Sequence, residues 1–210
     1  MSQPGKKQCD VEQPAELDSE LNEFWVGNPF QIFQHHNLSS FERNRAYINV
    51  EGKGFLEVSH MTGADVDGDS RAVLALDLFR PGQMDLVLRQ VGGGSIRVFR
   101  NQFPAANYLK VSLDGVDSNS LGIGSRITAW VGDRKIVREL FPINTYQSQQ
   151  PSWVHLGLGK DEKVDRLEIR WPSGYRQEIK NLAANRHILV TEKSDQVRDF
   201  ARSIPARSSR

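Results

Sequence analysis

Short runs of alternating apolar and polar residues, separated by glycine-containing turns, dominate the second half of the chain. Leu109, Val111 and Leu113 alternate with polar neighbours, and the same alternation runs through residues 166–171. A strand of this kind buries one face and exposes the other, which favours antiparallel sheets over buried parallel ones. The sequence therefore predicts an all-β fold, with a small antiparallel β-sandwich or partly open barrel in the second half.

Further strands are predicted where short apolar runs lie between clusters of Gly, Pro and Asp. They cover residues 45–49, 55–58, 73–77, 85–88, 96–99, 127–131, 136–140, 154–156, 177–179 and 188–191. Two short helices are predicted outside them, at 16–24 and 194–201. A faint repeat relates residues 45–49 to 97–101. Its period of about 50 residues is typical of a propeller blade built from four short strands.

The charges of the chain nearly cancel. There are 27 basic and 26 acidic residues, giving a formal net charge of +1. Nucleic-acid binders carry an excess of basic residues, so no nucleic-acid partner is expected. Because no run of about 18 apolar residues occurs, we expect no membrane span. The first residues lack the apolar run of a secretory signal, so none is expected in the chain as written. The single cysteine, Cys9, cannot form an internal disulfide.

The densest group of polar residues is acidic. Asp65, Asp67 and Asp69 alternate in a turn, and Asp77 and Asp85 follow them. Alternate carboxylates in a loop suit a hard, oxygen-seeking cation, so these five residues are the candidate ligands for Ca²⁺, the one cofactor that the sequence points to. The alternative is that the aspartates accept hydrogen bonds from backbone amides and stabilise turns. We favour the alternative.

Neither acidic loop completes the calcium-loop pattern D-x-D-x-D-G-x-x-D of β-propellers. The frame that begins at Asp65 has Ser70 in place of the turn glycine. The frame that begins at Asp77 has Phe79 and Pro81 at ligand positions. A calcium site here is therefore expected to be vestigial, with the first loop the better candidate.

The glycine pairs of the chain do not form a nucleotide-binding loop. Gly122-Ile123-Gly124 lacks the third glycine of a dinucleotide fingerprint, and a predicted strand, not a helix, follows it. His155 has no G-x-S-x-G elbow to accompany it, so a Ser/His triad is not indicated. Trp171 continues the apolar face of a strand, which predicts a core position.

Several blocks in the second half occur in the order of one known family's pattern. These blocks are Ser118-Asn119, Gly122-Ile123-Gly124-Ser125-Arg126, Arg138-Glu139-Leu140, Tyr146-Gln147-Ser148-Gln149, His155-Leu156-Gly157-Leu158-Gly159 and Trp171-Pro172-Ser173-Gly174. Residues 108–192 resemble the ASPIC/UnbV domain of the cartilage-acidic-protein-like family. Residues 44–101 resemble, more loosely, the FG-GAP/VCBS propeller repeats that precede that domain.

The resemblance implies a domain organisation. Residues 1–27 would be a polar, mobile leader and 28–105 FG-GAP/VCBS-like β repeats. Residues 106–193 would be the ASPIC/UnbV domain and 194–210 a polar tail. A complete propeller needs at least about four blades, and the chain has room for one or two. Missing N-terminal blades or self-association would then cover the open blade edges.

The resemblance also implies a function. The family has no established catalytic residues, so it implies a non-enzymatic binding or adhesion module with a protein or carbohydrate ligand. Family members are typically extracellular or periplasmic, which leaves localisation open against the polar N-terminus. The alternative is a metal-assisted hydrolase that uses Asp65, Asp67 and Asp69, with His60 near them in the sequence.

Overall fold

The computed structural model describes residues 43–66, 70–90, 95–143 and 148–200. Within those ranges it contains thirteen strands and one short helix, which confirms the predicted all-β fold. The elements are β1 Tyr47–Asn49, β2 Phe55–Glu57, α1 Ser59–Thr62, β3 Ser70–Leu76, β4 Asp85–Gln90, β5 Arg97–Phe99, β6 Asn107–Asp114, β7 Arg126–Val131, β8 Arg134–Glu139, β9 Trp153–Gly159, β10 Lys163–Arg170, β11 Arg176–Ala183, β12 Arg186–Thr191 and β13 Val197–Asp199. No helix in this part of the chain is long and apolar enough to cross a membrane. The predicted leader and its helix at 16–24 lie outside the described residues.

The chain divides into two compact units, one of Met1–Ala72 with Leu88–Arg97 and one of Val73–Val87 with Val98–Arg210. In the first unit, β1 and β2 form an antiparallel hairpin, and α1 follows β2 directly. Strands β3, β4 and β5 form a three-stranded sheet in that order, and its residues 73–76, 85–87 and 98–99 belong to the second unit. The hairpin carries large exposed apolar side chains, of which Phe55 is 73% exposed.

Two four-stranded sheets make up most of the described second unit, in the orders β11-β10-β7-β8 and β13-β12-β6-β9. Most neighbouring strands run antiparallel, as predicted. Strands β6 and β12 are parallel, with Leu109 opposite Arg186 and Asp114 opposite Thr191. The antiparallel prediction is wrong for this pair. Between β6 and β12 the chain passes through β7 and β8 of the other sheet, returns for β9 and leaves again for β10 and β11. It then re-enters beside β6 in the same direction, which needs a long connection of this kind.

The inner faces of the two sheets share one apolar core, which makes the second unit a β-sandwich. Leu109 and Val111 of β6 and Leu167 and Ile169 of β10 are 0% exposed in it. Trp171, 2% exposed, continues the same face, as predicted from the alternation. Its indole Nε1–H donates a hydrogen bond to a side chain at 3.0 Å, so its burial leaves no unpaired donor.

The turn before β7 needs glycine. Gly122 has φ +62°, and a Cβ added there would lie 2.8 Å from the side chain of Leu113. The side chain of Asn119 closes the turn, because Oδ1 accepts the N–H of Ile123 and Nδ2 donates to its carbonyl, both at 2.8 Å. The interpretation of Gly122-Ile123-Gly124 as turn residues is confirmed, since a strand follows them.

The helix predicted at 194–201 is wrong, because Val197–Asp199 is strand β13. Val197 lies opposite Val190 of β12 in an antiparallel pair. A strand edge presents unpaired amides and carbonyls, and pairing with them outweighs the weak helix propensity of a short polar segment. The helix α1 was not predicted.

Candidate binding cleft

The outer face of sheet β13-β12-β6-β9 carries polar and aromatic residues. Alternation along each strand sends one set of side chains to the core and the other to this face. Strand register aligns the outward set in two rows across three strands. The first row is His187, Lys110 and His155, and the second is Leu189, Ser112 and Trp153.

A cleft of about 580 Å³ opens on this face. Its volume lies within the ~300–1,000 Å³ that is usual for small-molecule sites. Polar groups lie deep in it, and three exposed apolar side chains stand at its rim. The rim residues are Leu78, Leu121 and Phe200, which are 47%, 48% and 41% exposed.

An ion pair lies in the cleft. The Nζ of Lys110 is 2.6 Å from Oδ2 of Asp77, and the two side chains are only 13% and 14% exposed. The N–H of Gly82 donates to the same oxygen at 3.0 Å. Burial raises the pKa of Asp77, but the hydrogen bonds from Lys110 and Gly82 outweigh it and lower the pKa below its usual value. Asp77 is therefore ionised at neutral pH.

His187 and Ser112 form a second polar pair beside it. Nε2 of His187 is 2.9 Å from Oγ of Ser112, which is 5% exposed. Burial, assisted by the positive charge of Lys110 and opposed by Asp77, lowers the pKa of His187 to about 4. The imidazole is therefore neutral at pH 7. One ring nitrogen then donates and the other accepts.

Aromatic rings frame these polar groups. His187 stacks on Phe200 with 4.3 Å between ring centroids, and Trp153 meets His187 edge-on at 6.3 Å. The ammonium of Lys110 lies 5.1 Å from the centroid of the Trp153 ring, a cation–π distance. The base of the cleft is thus fixed by packing as well as by hydrogen bonds.

Residues 77–85 are held on the same sheet face by glycine and histidine. Nε2 of His155 is 2.9 Å from the carbonyl oxygen of Gly82, and His155 stacks with Tyr108 at 6.0 Å. Gly82 has φ +75°, and a Cβ there would lie 2.0 Å from the Tyr108 ring. Only glycine fits between the loop and the sheet. This close approach places Asp77 at the cleft.

The second candidate calcium loop, residues 77–85, has a second carboxylate, that of Asp85, which accepts backbone hydrogen bonds. Asp85 is 2% exposed and accepts the N–H groups of Leu78, Phe79 and Asn101 at 3.0, 3.2 and 2.8 Å. Burial raises the pKa of Asp85, and the three N–H groups, with the nearby charge of Arg100, lower it further than burial raises it. This is the turn-stabilising role that the sequence offered as the alternative to calcium binding.

Of the three aspartates in the first candidate loop, Asp65 alone lies among the described residues. Its Oδ2 lies 3.3 Å from Nη1 of Arg43 and 3.4 Å from Nδ1 of His60. Asp67 and Asp69 lie outside the described residues. Among the residues that are described, no group of three or more His, Cys, Asp or Glu side chains is placed to hold a metal. The calcium prediction for the five aspartates stays a prediction.

Glu192 is a buried, strongly hydrogen-bonded carboxylate that no sequence motif singles out. It is 2% exposed, and Oε2 accepts the N–H groups of Val116, Asp117 and Ser118 at 2.8, 2.9 and 2.8 Å. The hydroxyls of Ser118 and Ser173 donate to Oε1. Burial raises the pKa of Glu192, and these hydrogen bonds lower it more strongly, to about 2. The carboxylate joins two loops to the end of β12.

The alternating pattern predicts Lys110 and Ser112 only as solvent-facing strand residues, and no motif singles out Trp153 or His187. One signal was present. His187 and Trp153 both occupy outward positions of strands whose alternate residues are apolar, and large aromatic side chains on a solvated face often mark a contact surface. The fold brings Asp77 close to these residues. Their proximity depends on the pairing register of strands that are far apart in the sequence.

The fold defines a small β-sandwich domain with a polar and aromatic cleft on the outer face of one sheet. Residues 115–197 match the family model described as ASPIC and UnbV, so this part of the chain is an ASPIC/UnbV domain. Strand β6, which supplies Lys110 and Ser112, precedes the matched segment. Comparison with curated proteins found no match.

Proposed function

We propose that the chain is a non-enzymatic binding module whose ligand occupies the outer-face cleft. The observation that carries the proposal is the Asp77–Lys110 ion pair, held at 2.6 Å with both side chains about seven-eighths shielded from solvent. Taking two charges out of water is costly. The pair lies outside the apolar core of the sandwich, so packing of the core does not explain its burial. A preformed polar group inside an apolar-rimmed cleft is the usual composition of a ligand site.

The neighbouring groups support a binding role. His187 is neutral at pH 7, and its Nε2 is engaged with Ser112, so the base of the cleft carries one positive and one negative charge that cancel. Aromatic rings of Trp153 and Phe200 supply rigid contact area. We extend the proposal to FG-GAP/VCBS-like repeats in residues 28–105. Its support is that both members of the sequence repeat contain strands, β1 and β5.

The alternative is a metal-assisted hydrolase built on Asp65, Asp67 and Asp69. One contact favours it, because His60 Nδ1 lies 3.4 Å from Asp65 Oδ2. The same oxygen also accepts a hydrogen bond from Arg43, whose charge competes with a metal ion for the carboxylate. We therefore place the ligand site in the cleft and propose that the acidic loop is vestigial as a calcium site.

Two matched variants test the binding proposal. Leu121→Trp fills the cleft from its rim, whereas Leu56→Trp makes the same change at a similarly exposed position that does not line it. A library of small organic fragments is screened against the isotope-labelled chain by NMR chemical-shift mapping. We expect fragments to shift signals of Trp153 and His187, and expect Leu121→Trp alone to abolish those shifts. Fragments that bind equally to both variants would contradict the proposal.

A further inference from the structure

We infer that the cleft recognises a neutral phenolic ring, with its hydroxyl bonded to the Asp77–Lys110 pair and its ring against the apolar rim. The inference rests on the proposed binding function and adds the chemical class of the ligand. It follows from which atoms of the cleft are already engaged and which are not.

The ion pair leaves one donor and one acceptor side by side. Oδ2 of Asp77 accepts both Lys110 and the N–H of Gly82, while Oδ1 accepts no hydrogen bond from another residue in the described ranges. The Lys110 ammonium has three protons, and within the same ranges its one hydrogen bond is to Asp77. A hydroxyl donates one hydrogen bond and accepts others, so it satisfies both atoms at once. A carbonyl can only accept, and an ammonium can only donate.

The charge balance of the cleft favours a neutral group. Lys110 and Asp77 cancel, and His187 is uncharged at pH 7 because its pKa lies at about 4. An anionic ligand would have to compete with Asp77 for the Lys110 ammonium. A cationic ligand would have to displace that ammonium from Asp77. A phenol, whose ordinary pKa is about 10, stays neutral at physiological pH.

The apolar rim limits how many hydroxyls the ligand can carry. Leu78, Leu121 and Phe200 are exposed around the cleft, and the side chain of Leu189 also lines it. A pyranose sugar has hydroxyls around most of its edge, and each hydroxyl buried against leucine without a hydrogen-bond partner weakens binding. A phenol has one hydroxyl for the one ion pair and an apolar ring for the rim. Phe200 offers an aromatic face for offset stacking.

Matched small probes test the inference on the unmodified chain by NMR titration of the Trp153 and His187 side-chain signals. The probes are p-cresol, 4-methylanisole, in which the hydroxyl is methylated and cannot donate, and toluene, which lacks the oxygen. We expect p-cresol to bind at least about 10-fold more tightly than either analogue, because a site built to hydrogen-bond a hydroxyl rejects molecules without it. Equal affinities for p-cresol and toluene would overturn the inference.

Three further arms sharpen the result. Lys110→Met is expected to remove the preference for p-cresol over toluene, with its melting temperature measured to verify folding. Methyl β-glucopyranoside binding more tightly than p-cresol would overturn the inference in favour of a sugar. N-acetyltyrosinamide binding more tightly than p-cresol would identify a tyrosine side chain as the source of the phenol, and weaker binding would identify a free phenol. Both of these last results support the phenolic class.

Failure of the inference and failure of the binding proposal give different results. If p-cresol does not bind but other fragments shift Trp153 and His187, the phenolic class is wrong and the binding site stands. If no fragment or probe shifts these signals at all, both are wrong.

Discussion

Glu192 shows how one buried carboxylate organises its surroundings at the scale of a residue. Three consecutive N–H groups, from Val116 to Ser118, point at one of its oxygens, and two serine hydroxyls bond to the other. Hydrogen bonds to an ionised acceptor are stronger than neutral ones. They outweigh burial, so the pKa of Glu192 falls to about 2 from its ordinary 4.5.

Replacing this carboxylate tests its role. Glu192→Gln puts an amide NH₂ among donors, so we expect a loss of roughly 2–4 kcal/mol at pH 7, measured by urea unfolding. Because the folded pKa lies below the unfolded one, this contribution is present above about pH 4.5 and is lost as the pH falls towards 2. The loss caused by the substitution should therefore shrink between pH 5 and pH 2.5. The same change at exposed Glu162 is the control. A difference that does not depend on pH would refute the account.

The titration of His187 is a second residue-scale prediction. Burial and the charge of Lys110 lower its folded pKa to about 4, against an ordinary 6.5. Stability from the neutral imidazole is thus complete above pH 6.5 and falls as the pH drops from 6.5 towards 4. We expect the ring signals of His187 to titrate with a midpoint near 4 by NMR. A midpoint above 6 would show that the imidazole is not desolvated beside Lys110.

At the scale of elements, residues 77–85 match part of the calcium-loop pattern, but their two carboxylates contact a lysine and backbone amides of the protein. The Lys110 ammonium lies against Asp77, and backbone amides occupy Asp85. A cation at Asp77 would have to displace Lys110. These contacts stabilise the turn and hold Asp77 at the cleft.

Calcium binding can be tested with one aspartate from each loop, Asp67 from the first and Asp85 from the second. By calorimetric titration we expect weak or no Ca²⁺ binding. We expect Asp67→Ala to change the melting temperature little, because the pattern around it is incomplete. Asp85→Ala should cost about 2 kcal/mol or more, since it leaves three N–H groups without their acceptor. Micromolar Ca²⁺ affinity that Asp67→Ala removes would contradict the vestigial interpretation.

At the scale of the whole molecule, the sequence predicts what depends on local pattern. Alternation predicted the strands of the sandwich and the buried position of Trp171, because a period of two decides which face a residue occupies. The order and direction of strands do not follow from local pattern. The parallel pairing of β6 with β12 and the addition of β13 depend on contacts between segments far apart in the chain.

The cleft cannot be predicted from local sequence pattern either, because its residues come from segments far apart in the chain. His187, Lys110 and His155 are neighbours only because β12, β6 and β9 pair in one register. Asp77 is one of the five candidate calcium ligands, and its ion-pair partner in the fold is Lys110, 33 residues away in the sequence. The family resemblance was recoverable, since its motifs are turn residues with fixed spacing, and residues 115–197 match the ASPIC and UnbV model.

For the whole molecule, we propose that ligands bind the outer-face cleft between the Asp77–Lys110 pair and the apolar rim. Crystallographic fragment screening tests it most directly, because it shows where on the surface small molecules bind without assuming their chemistry. We predict that bound fragments concentrate in the cleft, in contact with Trp153 or Phe200 and with an oxygen at the ion pair. Fragments that leave the cleft empty and concentrate elsewhere, for example over the Trp130 ring beneath the Arg166 guanidinium, would show that the cleft is not the ligand site.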